Sequence, residues 1–111
     1  MRSIPRLTYL SVLLVLFIFH CTTTTYPSNY YVDKNASGQN NGRSWANAWK
    51  SFSDINWGSI NPGDVIFLSG GTDSTVYYER LVIDASGSAG NYVTIRNSHD
   101  TGHDGRVIIE D

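Results

Sequence analysis

The segment Asp64–Leu68, DVIFL, is an apolar run entered from Asn-Pro-Gly and left through Ser-Gly-Gly. A β-branched run between turn formers reads as a strand, and Pro62-Gly63 suits the two central positions of a type II turn. Three similar segments follow: YYERLVI (77–83), YVTIR (92–96) and RVIIE (106–110). Centred on Val65, Leu81, Val93 and Val107 they are 16, 12 and 14 residues apart, and alternate steps are 28 and 26. That period is in the range of stacked repeats. It sets Val65 and Phe67 beneath Val93 and Ile95, and Leu81 and Ile83 beneath Val107 and Ile109. A small antiparallel sandwich has similar spacing, so the period alone does not separate the two.

Upstream, NYYVD (Asn29–Asp33) is a further short strand, and KNASGQNNGR (34–43) is a loop of turn formers and amides. It includes Asn35-Ala36-Ser37, a glycosylation triplet in a eukaryotic secreted protein and without meaning in a bacterial one. SWANAWKSFSDI (44–55) carries Trp45, Ala48, Trp49, Phe52 and Ile55 as one apolar stripe at helical spacing. Ser44 precedes it as an N-cap. The spacing predicts an amphipathic helix here, ended by Gly58 or by the Pro-Gly-Asp turn.

The 111 residues allow one domain. Arg2 and Arg6 precede VLLVLFIF (12–19), a run shorter than the roughly 20 apolar residues that span a bilayer. Basic residues before a short apolar run mark an export signal over 1–21. The single cysteine, Cys21, directly follows it and is placed like the lipid-attachment cysteine of bacterial lipoproteins, although His20 stands where those signals carry a small residue. Lipidation of Cys21 and ordinary cleavage nearby both stay open. Residues 22–28 read as a polar linker, and no disulfide can form from one cysteine. The expected location is outside the cell or in its envelope, with membrane anchoring through a lipid on Cys21 as one form. Without Arg2 and Arg6 the chain has six basic against ten acidic residues and no basic stripe, which argues against nucleic acid as a partner.

Residues 29–97, taken in order, resemble the start of right-handed parallel β-helix proteins of the pectate-lyase-like group. The resemblance lies in the YYVD strand, the Asn/Gly loop, the expected helix, Pro-Gly-Asp with its apolar strand, YYE with LVI, and Gly-Asn with VTIRN. It implies a mainly β solenoid in which 29–111 form an N-terminal cap and first rungs, with the helix plugging the open apolar end. Solenoids need about three or more units, so the resemblance also implies continuation beyond Asp111. Its members include lyases and hydrolases of acidic polysaccharides. The expected role is therefore that of a monomeric N-terminal portion, itself inactive, of a protein acting on uronic-acid-rich polysaccharide. No cofactor is expected in this chain, and calcium is the cofactor implied for the full-length protein. A noncatalytic adhesin or carbohydrate-binding solenoid is the alternative, as is a complete small binding module.

Candidate chemistry within the chain is sparse. His99 and His103 are four apart beside Asp100 and Asp104, but Gly102 and Gly105 oppose the helix that would let them share a metal, so a polar surface turn is the expectation. Glycosidases hold two carboxylates across the scissile bond, and nothing in the sequence brings two of Asp64, Asp73, Asp84 and Glu79 together. Asp64 is expected to bond backbone amides of its own turn. Lys50, Arg80, Arg96 and Arg106 are the residue types a lyase uses as base, and they read as outward-facing positions. Tyr30-Tyr31 and Tyr77-Tyr78 offer one buried and one exposed ring each, the exposed ones being candidates for sugar stacking. Asn97, ending a strand, is a candidate for a stacked amide ladder in the full solenoid, a structural role. No catalytic, cofactor or metal residue is assigned.

Overall fold

A computed structural model describes residues 26–111. The expected export segment 1–21, Cys21 with its proposed lipid, and the start of the linker lie outside the described residues.

Five four-residue strands form two small parallel sheets. Strand β1 (Asn29–Val32) pairs with β2 (Val65–Leu68), which pairs in turn with β4 (Thr94–Asn97). Strand β3 (Ser74–Tyr77) pairs with β5 (Arg106–Ile109). The architecture is not the expected parallel β-helix: no helix of seven residues or more occurs among the described residues, and these two sheets do not make a solenoid. Parallel pairing is present, but the stacking differs from the period in the sequence. Val65 lies beside Thr94 and Phe67 beside Arg96, one residue away from the expected partners. The expected strand over 77–83 ends at Tyr77, and Thr75 and Tyr77 take the places beside Val107 and Ile109 that Leu81 and Ile83 were expected to hold. Val82 and Ile83 are exposed.

The expected capping helix over 44–55 is absent. Ser44 does accept the amide of Asn47 on its hydroxyl (3.2 Å), and Ala48 N–H reaches Trp45 C=O at 3.4 Å, but the turn stops there. Other acceptors hold the amides a helix needs. Trp49 N–H bonds Tyr31 C=O and its carbonyl accepts Asp33 N–H, so the backbone of Trp49 extends the edge of β1. Asn40 Oδ1 takes Lys50 N–H at 2.8 Å, and Glu79 Oε1 takes Phe52 N–H at 3.0 Å. Among the described residues two 3-10 turns occur, Phe52–Asp54 within that stretch and Trp57–Ser59 after it.

The core joins the inward residues Tyr30, Val32, Ile66 and Leu68 to Trp49, Phe52, Ile55, Ile60 and Tyr77. Trp49 stacks on Tyr30 with ring centroids 5.4 Å apart, and Phe52 on Tyr77 at 4.8 Å. Asn97 closes the corner between β4 and β5. Its amide donates to Gly105 C=O and accepts Val107 N–H, so it bonds backbone and does not form the amide ladder of the expected solenoid.

Each strand of the larger sheet ends in the same turn. Asp33, Ser69 and Ser98 follow β1, β2 and β4 in register, and all three are buried. Their side chains accept the amides of Asn35, Gly71 and Asp100, each two residues ahead. This Asx or Ser/Thr turn bends the chain while satisfying a donor that leaves the sheet.

Two predictions concern this frame. A methyl group at Gly70 would collide with the carbonyl oxygen of Gly105. Gly70→Ala should therefore lower stability by about 1–3 kcal/mol, read by chemical denaturation, whereas Gly90→Ala meets nothing nearby and costs only the strain of its positive φ. Burial pushes the Tyr77 phenol up to about 12, with the charges of Asp33 and Glu79 adding to the rise. The unfolded chain releases this proton first, near pH 10. The stabilisation is thus complete below pH 10 and is lost as pH rises towards 12, by roughly 2–3 kcal/mol. Tyr77→Phe should flatten that part of a stability-against-pH curve.

Candidate functional site

The clearest polar cluster forms where the three turns meet the 98–105 loop. Ser69 Oγ lies 2.8 Å from His103 Nδ1, and Asp33 Oδ2 lies 3.5 Å from the same nitrogen. Trp45 stacks on the imidazole at 4.0 Å, nearly parallel, and donates its indole N–H to Asp100 Oδ2 at 2.9 Å. A serine, a histidine and an aspartate in contact suggest nucleophilic catalysis, but the geometry opposes it. A triad needs the serine on one ring nitrogen and the carboxylate on the other. Here both meet the same corner of the ring, and turning the imidazole over leaves them there. Ser69 is also only 1% exposed, and its oxygen already accepts the amide of Gly71. The cluster is a clasp that fastens the 98–105 loop and Trp45 over the ends of β1 and β2.

The histidine pair does not act together. His103 is half-buried in the clasp, not solvated as expected of a surface turn, while His99 is exposed outside it. Among the described residues no three His, Cys, Asp or Glu side chains group to hold a metal. Three carboxylates, those of Asp33, Asp64 and Glu79, are engaged by backbone amides. Asp64 accepts Ser28 and Asn61 N–H, as expected for its turn, and Glu79 accepts Phe52 and Ser53 N–H. Asp73 and Asp84 are exposed, and neither carboxylate has a hydrogen bond or salt bridge among the described residues. Lys50, Arg96 and Arg106 are exposed, and Arg80 is held by Asp111. The tyrosine pairs divide as the alternation requires: Tyr30 and Tyr77 are buried, Tyr31 is half-buried and Tyr78 exposed.

The site with open space for a ligand lies elsewhere. A cleft of about 350 Å³ is lined by Asn40, Asn41, Arg43, Trp49, Asp54, Asn56 and Ser59. The amide-rich loop builds one wall and the two 3-10 turns the other, with the indole of Trp49 between them. Gly42 makes this possible: it adopts a positive φ, and a Cβ there would stand 2.7 Å from the indole. With Tyr30 on its other side, Trp49 is fixed in place. Arg43 is exposed, its guanidinium 5.5 Å from the centre of the Tyr30 ring. Among the described residues it forms no salt bridge, although Asp54 lines the same cleft. Neither the Asp54 carboxylate nor the Asn56 amide has a side-chain hydrogen bond there.

The sequence reading passed over this cleft because it took Trp49 for a helix face and 34–43 for a mere connection. The side-chain amides of 35–47 give no separate signal for it, because Asn40, Asn41 and Asn47 accept backbone amides that order the loop. No family model matches the chain, and no curated protein matches it. The reading of the cleft therefore rests on its own geometry.

A structural clasp and a nucleophile respond differently to one substitution. Ser69→Ala strands the Gly71 amide and should cost about 1–3 kcal/mol of stability. A fluorophosphonate probe should leave Ser69 unlabelled, as read by intact mass; stoichiometric labelling at Ser69 would contradict the clasp.

Proposed function

We propose that the chain binds an acidic, hydroxyl-rich polysaccharide through this cleft, with a uronic-acid unit as the favoured ligand. The observation that carries the reading is the set of polar groups that make no hydrogen bond or salt bridge among the described residues and line one concave surface: the Arg43 guanidinium, the Asp54 carboxylate and the Asn56 amide. A guanidinium pairs with a carboxylate through two parallel hydrogen bonds. Carboxylate and amide groups accept from and donate to neighbouring hydroxyls. Uronic acids present both kinds of group, and concave sites with a few convergent polar groups are the usual places for small ligands.

The role is binding, not turnover. Asp54 is the only carboxylate in the cleft, whereas glycoside hydrolysis uses two. The lyase or hydrolase chemistry expected of a longer protein thus gains no catalytic group from this one. An exported or envelope location suits such a ligand, and the described surface offers no strongly basic stripe that would favour nucleic acid.

Isothermal titration with galacturonate oligomers should give saturable binding, and neutral oligosaccharides of equal length should bind more weakly. Arg43→Ala should weaken the acidic ligand about tenfold, the loss of one charge-assisted contact, without changing the thermal midpoint. Absence of saturable binding to the acidic oligomers would remove this reading.

A further inference from the structure

The segment 52–57 has a cavity on each side. Asp54 and Asn56 line the cleft just described, while Phe52, Ser53 and Trp57 line a second cavity of about 300 Å³, closed by Arg80, Val82 and Asp84. We propose that this second cavity is a subsite for another uronate unit of the same polysaccharide, whose carboxylate displaces the Asp111 side chain from Arg80. The inference rests on the binding role assigned to the first cleft and extends it across the segment.

The chemistry of the second cavity is different from that of the first. Its floor is apolar: Phe52 is buried against Tyr77, and Trp57 is half-buried beside the core. Val82 adds an exposed aliphatic wall, in a stretch where the expected strand does not form. A sugar ring laid on this surface covers apolar area with its C–H face while its hydroxyls reach Ser53 and Asp84. Neither of these is tied to the backbone by its side chain. Ser53 Oγ bonds only Ser51 Oγ, at 2.9 Å, and Asp84 has no hydrogen bond among the described residues.

Arg80 supplies the specificity. Its Nε and Nη2 both donate to one oxygen of Asp111, at 2.9 and 2.8 Å. The guanidinium is therefore already positioned on a carboxylate at the mouth of the cavity. Both partners are largely exposed, 72% and 60%, so water screens the pair and it contributes little to folding. Exchanging one carboxylate for another at such a pair is close to neutral. The ligand then adds the apolar contact with Phe52, Trp57 and Val82 that Asp111 does not make in the cavity lining. Asp111 is thereby an internal competitor that weakens binding without abolishing it.

Asp111→Asn removes the competing charge and keeps the shape. Titrated with galacturonate oligomers, it should bind about two- to fivefold more tightly than the unaltered chain, the range expected from an exposed ion pair. Arg80→Ala should bind about five- to tenfold more weakly. Arg43→Ala in parallel reports on the first cleft alone. If Arg43→Ala weakens binding while Asp111→Asn and Arg80→Ala leave it unchanged, the second subsite is refuted and the first reading stands. If the unaltered chain shows no saturable binding, both fall. Circular dichroism of each variant guards against misfolding, and the tightening in Asp111→Asn cannot arise from an unfolded protein.

Discussion

A side-chain oxygen that accepts the amide two residues ahead is the contact on which the rest of this molecule depends. It recurs at Asp33, Ser69 and Ser98, in register at the ends of three parallel strands. Parallel strands cannot be joined by tight hairpins, so the chain must leave the sheet and travel before it returns. Buried backbone groups at such exits require partners. The three turns supply them, and they send the chain in one direction after β2 and β4, towards β3 and β5. Ser69 Oγ and the second carboxylate oxygen of Asp33 also hold His103, which draws Trp45 over the sheet's end. Without that clasp the amide-rich loop would lose its anchor, and the cleft wall it builds would lose its shape.

Much of the sheet was legible in the sequence. Short β-branched runs bounded by turn formers gave four strands to within a residue or two, and 64–68 does lie parallel beside 92–96, but the expected pairing of 77–83 with 106–110 survives only at Tyr77. The one-residue shift has a clear origin. In Asp64–Leu68 both alternating sets are apolar, Val65 and Phe67 on one face and Ile66 and Leu68 on the other, so periodicity cannot choose between them. Asp64 chooses. Its carboxylate is buried with two backbone amides and turns Ile66 and Leu68 inward with it. The stacked turns could have been read from Asp33-Lys34-Asn35, Ser69-Gly70-Gly71 and Ser98-His99-Asp100, had register been known first.

The expected helix failed for a reason that no local pattern contains. Its stripe assumes that Trp45 and Trp49 share a partner surface. They do not: Trp49 enters the core against Tyr30, while Trp45 stacks on His103 at the far end of the sheet. Helix formation also competes with side-chain acceptors when Asn, Ser and Asp are abundant. Here Asn40 and Glu79, distant in sequence, bind the amides of Lys50, Phe52 and Ser53. Local propensity was modest, and tertiary hydrogen bonds overrode it.

That outcome is also what makes the segment useful. A helix over 44–55 would have satisfied its backbone internally and turned one regular face outward. The irregular path instead puts Asp54 and Asn56 in one cavity and Phe52, Ser53 and Trp57 in the other. Loops normally lose binding energy because they must be ordered when a ligand arrives. These are ordered beforehand by Asn40, Asn47 and Glu79, and by an indole fixed between Gly42 and Tyr30. Asp33, Asp64 and Glu79 hold backbone in place, whereas the side chains of Arg43, Asp54 and Asn56 make no hydrogen bond or salt bridge among the described residues and stand on a surface that is already ordered.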